Sequence, residues 1–108
     1  MEYVEKFINE YLDFIRQDYA KWSAQSPTEV RIRMTKEFQE SVRFEQGSKY
    51  IKVITGNSVH SFICRADAGK FKKGDILKAA GWSSPARNFA RGNILTKQYG
   101  ATTWTGAM

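Results

Sequence analysis

A chain of 108 residues with 42% hydrophobic and 14% aromatic side chains has material for one core, which excludes global disorder and leaves no room for two ordinary domains. No apolar run approaches the ~18–20 residues that span a bilayer, the charged start MEYVEKFINEYLDF reads against a secretory leader, and the lone Cys64 excludes an intrachain disulfide or a thiolate metal cluster and suits a reducing interior. The net charge of +6 sits unevenly: residues 1–25 sum to −2, whereas residues 65–108 carry eight Lys and Arg against Asp67 and Asp75, an asymmetry that points to a polyanionic partner.

Residues 2–23 are predicted as a long amphipathic helix. Val4, Phe7, Ile8, Tyr11, Phe14, Ile15, Tyr19 and Trp22 recur at helical spacing and form one apolar face, with Glu and Lys on the other. That face is generous for so small a domain, so part of it is expected to serve a second subunit. In SAQSPTEV, Ser26 suits an N-cap, Pro27 the first helical position and Glu29 the reciprocal member of a capping box. A second helix is therefore expected over roughly 27–40, although VRIRM also alternates like a strand. From about residue 42 the period becomes two. SVRFEQ and KYIKVIT alternate, GNS turns, and VHSFICR is the hairpin partner. ADAGKFKKG reads as a Lys- and Gly-rich loop and DILKAAGW as a further strand. Ser84 is expected to cap a short helix that starts at Pro85, runs to Arg91 and ends at Gly92-Asn93. NILTKQYGATTW suggests a final strand, with the last residues loose. The fold class that follows is α+β in a single domain, 1–108: N-terminal helices to residue 40, packed on a small antiparallel meander with a short helix at 84–91.

Catalytic chemistry finds little support. His60 is the only histidine, and by strand alternation it shares a face with Phe62 and Cys64. A pair at i, i+4 on a strand stands about 13 Å apart at Cα, too far for a thiol to be activated by the imidazole. Asp67 and Asp75 flank a loop and read as turn formers. No phosphate-binding glycine loop, dinucleotide fingerprint, zinc spacing or EF-hand loop is present. No catalytic residue, metal or cofactor is expected, and the chain is read as a binding protein and not an enzyme. The basic residues are more informative. Lys70, Lys72, Lys73 and Lys78 surround one turn, and Arg87 and Arg91 fall at i, i+4. Ser83, Ser84 and the first amides of the expected helix would receive an anion, while Trp82, Tyr99 or Trp104 could stack on a base. The expected phosphate-binding set is Lys72, Lys73, Lys78, Trp82, Ser83, Ser84, Arg87 and Arg91. A plainer reading stands beside it: Trp82 plugs the core, Ser84 only caps, and the lysines only solubilise.

Three strings, YIKVITGNSVHSFI, GDILKAAGW and PARNFARGNIL, supply Val59, His60 and Phe62, then Gly74, Asp75, Lys78, Ala80 and Trp82, then Pro85, Ala86, Arg91, Gly92 and Asn93. In these positions the run from Lys49 to Leu95 resembles a family of small tailed-bacteriophage proteins. The resemblance covers less than half of the chain, leaves out the N-terminal helices and departs at the longer RADAGKFKKG connection. It implies a phage-encoded protein acting in the host cytoplasm by binding, and assigns no activity to any residue. Two functions remain open. One is binding of nucleic acid or a phosphate-rich nucleotide through the second half. The other is protein–protein inhibition of a host metabolic or defence factor, with the aromatic N-terminal helix as contact or homo-oligomer surface. No membrane partner is expected.

Overall fold

The computed structural model describes residues 2–25, 28–67, 69–87, 89–100 and 102–107, with side chains from Lys6 to Gly106. The architecture is α+β. Two helices, α1 (Glu2–Ser23) and α2 (Glu29–Ser41), precede seven strands: β1 (Arg43–Gln46), β2 (Tyr50–Thr55), β3 (Ser58–Cys64), β4 (Asp75–Lys78), β5 (Gly92–Asn93), β6 (Thr102–Thr103) and β7 (Gly106–Ala107). The first five form one antiparallel sheet in chain order, and β6 and β7 form a small separate hairpin.

Helix α1 forms where the helical period demanded it. Ile8, Tyr11, Leu12, Ile15 and Tyr19 are all buried, and the first four pack with Val53, Ile63 and Ile76 from the sheet and Ile94 just after it. Each such aliphatic side chain contributes roughly 1.5–3 kcal/mol on burial. Val4 lies outside the described side chains. The C-terminal end of the helix carries an aromatic cluster: Tyr19 stacks on Phe38 at 4.1 Å between ring centroids, and Trp104 meets Tyr19 edge-on at 4.8 Å.

α2 is a helix, so the strand reading of VRIRM fails. It starts two residues later than expected. Thr28, in extended conformation, is the N-cap, and its Oγ1 accepts the Arg31 amide at 3.1 Å. Ser26 and Pro27 lie outside the described residues. The last carbonyls of α2 are satisfied from α1: Arg16 donates Nε to the Gln39 oxygen and Nη2 to the Val42 oxygen, both at 2.9 Å. None of the side chains of α2 is buried.

Two expectations for the C-terminal third are overturned. The described residues of 84–91 form no helix. The amides of Ala86 and Arg91 donate to the Lys78 and Ile76 oxygens of β4, Pro85 bridges to Ala79, and Ser84 oxygen receives the Ala80 and Gly81 amides. Pairing with a neighbouring strand has taken the donors that a helix would have used within itself. Nor do residues 93–104 form one final strand: among those described, Asn93 ends β5 and Thr102–Thr103 are the short β6. Asn93 turns the chain, with its Oδ1 accepting the Leu95 amide at 2.8 Å, and Gly100 returns it at φ +59°. The expected loose end is ordered as far as Ala107 in β7.

Candidate nucleic-acid interface

The sheet has one face under α1 and another without a helix. On the helix-free face Phe62, Cys64, Phe71 and Leu77 form a second, smaller cluster, with Tyr50, Val59, Ala79 and Ala90 packed against it. Its cover is the irregular segment 79–91, a strap held to β4 by the bonds just described. Because the strap is irregular, it covers the face incompletely. One cleft of about 520 Å³ is lined by Lys49, Tyr50, Cys64, Arg65, Asp67, Lys70, Phe71 and Arg87. A second of about 310 Å³ shares Lys49 and Tyr50 and adds Lys52, Phe62 and Ser83. Next to Ser83 the strap exposes Trp82, which lines a third cleft with Val59 and Ala79; 53% of its surface is free, and the Lys52 ammonium lies 4.7 Å from its ring.

The sequence-derived set is only partly assembled. Of that set Arg87 lines the larger cleft, where it meets Lys70 from outside the set, and Ser83 lines the smaller one. Trp82 stands beside them and does not plug the core. Ser84 caps nothing, since no helix begins there. Arg87 and Arg91 do not share a helix face: Arg91 folds back at 3.9 Å over the Phe89 ring and donates Nη1 to the Phe89 oxygen. Lys72 and Lys73 lie in the β3–β4 loop. Their amides donate to Asp75 Oδ2 and Asp67 Oδ1, both at 2.8 Å, so the two carboxylates hold turns. Lys78 pairs with Ser61, on the row that faces α1, apart from Trp82. Tyr99 and Trp104 are also on the α1 side, against Phe14 and Tyr19.

Three cations were missed: Lys49, Lys52 and Arg65. Their signal lay in the alternation of KYIKVIT, which turns Ile51 and Val53 inward and Tyr50 and Lys52 outward, and in the hairpin that sets Arg65 beside Lys49 through its amide. Lys49, Lys52, Lys72, Lys73 and Arg87 form no ion pair among the described residues. The ion pairs seen among the described residues, Arg16–Asp13 and Lys97–Glu10, belong to α1 and its surroundings. These cations therefore keep their field for a ligand.

His60 departs from strand alternation. Val53 pairs with Ser61 but Ile54 with Val59, so His60 is the extra residue of a β-bulge. The bulge turns His60 to the α1 side together with Ser61, away from Phe62 and Cys64. Nε2 lies 2.7 Å from the Thr103 oxygen, which can only accept, so Nε2 carries the proton and Nδ1 accepts from Ser61 Oγ at 2.9 Å. Tyr11 then donates to Ser61 Oγ at 2.8 Å. A directed chain thus runs from Tyr11 through Ser61 and His60 to Thr103. Burial lowers the His60 pKa, against the opposing pull of the Thr103 carbonyl. Burial, followed by the Asp75 carboxylate, pushes the Cys64 thiol up to about 11. Bulge and alternation leave the imidazole and the thiol on opposite faces of the sheet. Among the described residues there is no group of three or more His, Cys, Asp or Glu that could hold a metal ion, and no helix is long and apolar enough to cross a membrane.

Two of the motif residues, Gly74 and Asn93, have a structural role. Asn93 donates Nδ2 to Lys73 oxygen at 3.0 Å and to Asp75 Oδ1 at 2.9 Å, tying β5 to the β3–β4 loop. A Cβ on Gly74, at φ +89°, would meet Asn93 Oδ1 at 2.9 Å. Comparison with known proteins assigns no chemistry to these residues. The chain belongs to a family of unknown function, DUF7717, whose model matches residues 1–108. No curated protein and no solved structure matches it.

Proposed function

For a chain whose family carries no assigned activity, we propose a non-enzymatic protein that binds single-stranded nucleic acid on the helix-free face of its sheet. The observation that carries the reading is the coincidence, on one face, of cations without ion-pair partners among the described residues (Lys49, Lys52 and Arg87) and an exposed Trp82. Phosphates are met by the cations and unstacked bases by the indole, whereas the bases of a duplex are hidden from such a ring. The resemblance to tailed-phage proteins adds the proposal that this binding takes place in the cytoplasm of a bacterial host.

The test is fluorescence anisotropy with labelled single-stranded DNA and RNA at two salt concentrations. Binding is expected to weaken steeply with salt. Trp82→Ala is expected to weaken it by about five- to a hundredfold, the worth of one base stacked on a ring, while the melting temperature barely moves. Absence of binding at tens of micromolar protein overturns the reading.

A second reading, contact with a host protein, has its own observation. The apolar surface left over by the fold lies chiefly on α2, where Val30, Ile32 and Met34 are 60%, 64% and 48% exposed. The described apolar side chains of α1 are buried or half-buried, with Trp22 as the exposed exception. Should nucleic acid fail to bind, α2 is the surface to mutate next.

A further inference from the structure

From the composition of the larger cleft, we infer that it is a site for one nucleotide: a nucleoside phosphate, either free or as the end of a strand. The inference rests on the phosphate-binding character proposed for this face and adds a discrete pocket to it. The volume, about 520 Å³, falls within the range of small-molecule sites. Its floor is apolar, because Phe71 and Cys64 are buried and the Tyr50 ring is half-buried beside them. Its rim is cationic, because Lys49, Lys70 and Arg87 are exposed and Arg65 completes the lining.

The mixture selects the ligand class. Inorganic phosphate would satisfy the rim and leave the apolar floor empty. A purely apolar ligand would leave the cations unused. Asp67 adds a third requirement. Its Oδ1 is held by the Lys73 amide at 2.8 Å, which fixes the carboxylate and leaves Oδ2 to accept a hydrogen bond. A sugar hydroxyl or the amino group of a base supplies that donor from a ligand that also fills the apolar floor. The flat base lies against Tyr50 and Phe71, and its phosphate meets Arg87, whose forked donors suit it. The neighbouring cleft begins on the same Lys49–Tyr50 segment. It continues to Lys52, two residues and about 7 Å further along β2. A strand whose end sits in the larger cleft therefore runs along β2 towards Trp82.

The experiment follows backbone amide NMR shifts and affinity with adenosine and cytidine 5′-monophosphates, inorganic phosphate, and a single-stranded oligonucleotide. It uses the wild type, Arg87→Ala and Trp82→Ala. The mononucleotides are expected to shift the amides of Lys49, Arg65, Gly69 and Phe71. Inorganic phosphate at the same concentration is expected to leave them in place. Arg87→Ala should weaken the mononucleotide by about tenfold or more, and Trp82→Ala should weaken only the oligonucleotide. If the oligonucleotide binds but no mononucleotide does, the cleft inference fails and the nucleic-acid reading stands. If mononucleotides bind in the cleft but the oligonucleotide neither binds nor competes, the ligand is a free nucleotide and the strand reading fails. Equal shifts and affinity with inorganic phosphate, or no change on Arg87→Ala, overturn the nucleotide site.

Discussion

The two faces of the same sheet are covered by different means. A helix brings a large side chain down every three or four residues and satisfies its own backbone, so α1 can close its face completely: Ile8, Tyr11 and Ile15 are fully buried. The strap at 79–91 closes one turn on itself, the Ala80 and Gly81 amides meeting the Ser84 oxygen, and is otherwise bonded to Ile76 and Lys78 of β4, so its side chains project where those bonds allow. It covers Phe62, Cys64 and Leu77 and leaves two clefts at its margin. Stability is concentrated under the helix, and the capacity to meet a charged ligand lies under the strap.

The strongest way to break this comparison is to cut into the closed face. Ile15→Ala is expected to cost about 2–5 kcal/mol in urea melts, since a fully buried side chain leaves a cavity that a helix on a sheet cannot collapse. A loss below about 1 kcal/mol would show that α1 is not the main stabilising cover. On the strap side the expected effects are smaller and polar in origin. Asn93→Ala removes bonds to Lys73, Asp75 and Leu95 at a junction that is half-buried, and about 2 kcal/mol is expected from the same melts. An unchanged midpoint would mean that the β3–β4 loop is held without it.

The smallest effect sharpens the contrast from inside the closed face, where His60 is a titratable group. Burial lowers its native pKa, so the imidazole is neutral in both states above its ordinary value near 6.5 and adds no pH dependence there. As pH falls below about 6.5 the unfolded chain takes a proton that the native state refuses. Stability then declines until the native pKa is passed, by at most about 1.4 kcal/mol per pH unit. Stability measured between pH 7 and pH 5 should show this decline in the wild type and a shallower one in His60→Gln. Identical profiles would place the titrating group elsewhere.

Periodic elements were legible in the sequence, and relations between elements were not. The apolar face of α1 and the alternation of β2 follow from spacing alone, and both formed where expected. Residues 84–91 carry a serviceable local helix signature, but helix propensity is weak beside the sheet edge of β4 that claims their amides. The bulge at His60 shows the same limit. One extra residue in a pairing register reversed the face of the side chain, and only the partner strand reveals it. For the candidate site, Trp82, Arg87 and the general charge were visible in the sequence. The cleft was not, because Lys49, Arg65 and Arg87 come from three segments that only the folded sheet brings together.

One contact joins the extremes of the chain. The Trp104 amide donates to Asp18 Oδ2 at 2.9 Å across a separation of 86 residues. Loop closure over that distance is costly and slow until the intervening sheet has already shortened the path. During synthesis, Tyr19 and Trp22 therefore leave the ribosome with Trp104, the last of their aromatic neighbours, still to be made. The β6–β7 hairpin is translated long after them, and when it docks Trp104 completes the cover of Tyr19, already stacked on Phe38, and flanks Trp22. In kinetic terms the hairpin acts as a late latch, and a chain shortened before it would present those rings to chaperones and to other copies of itself.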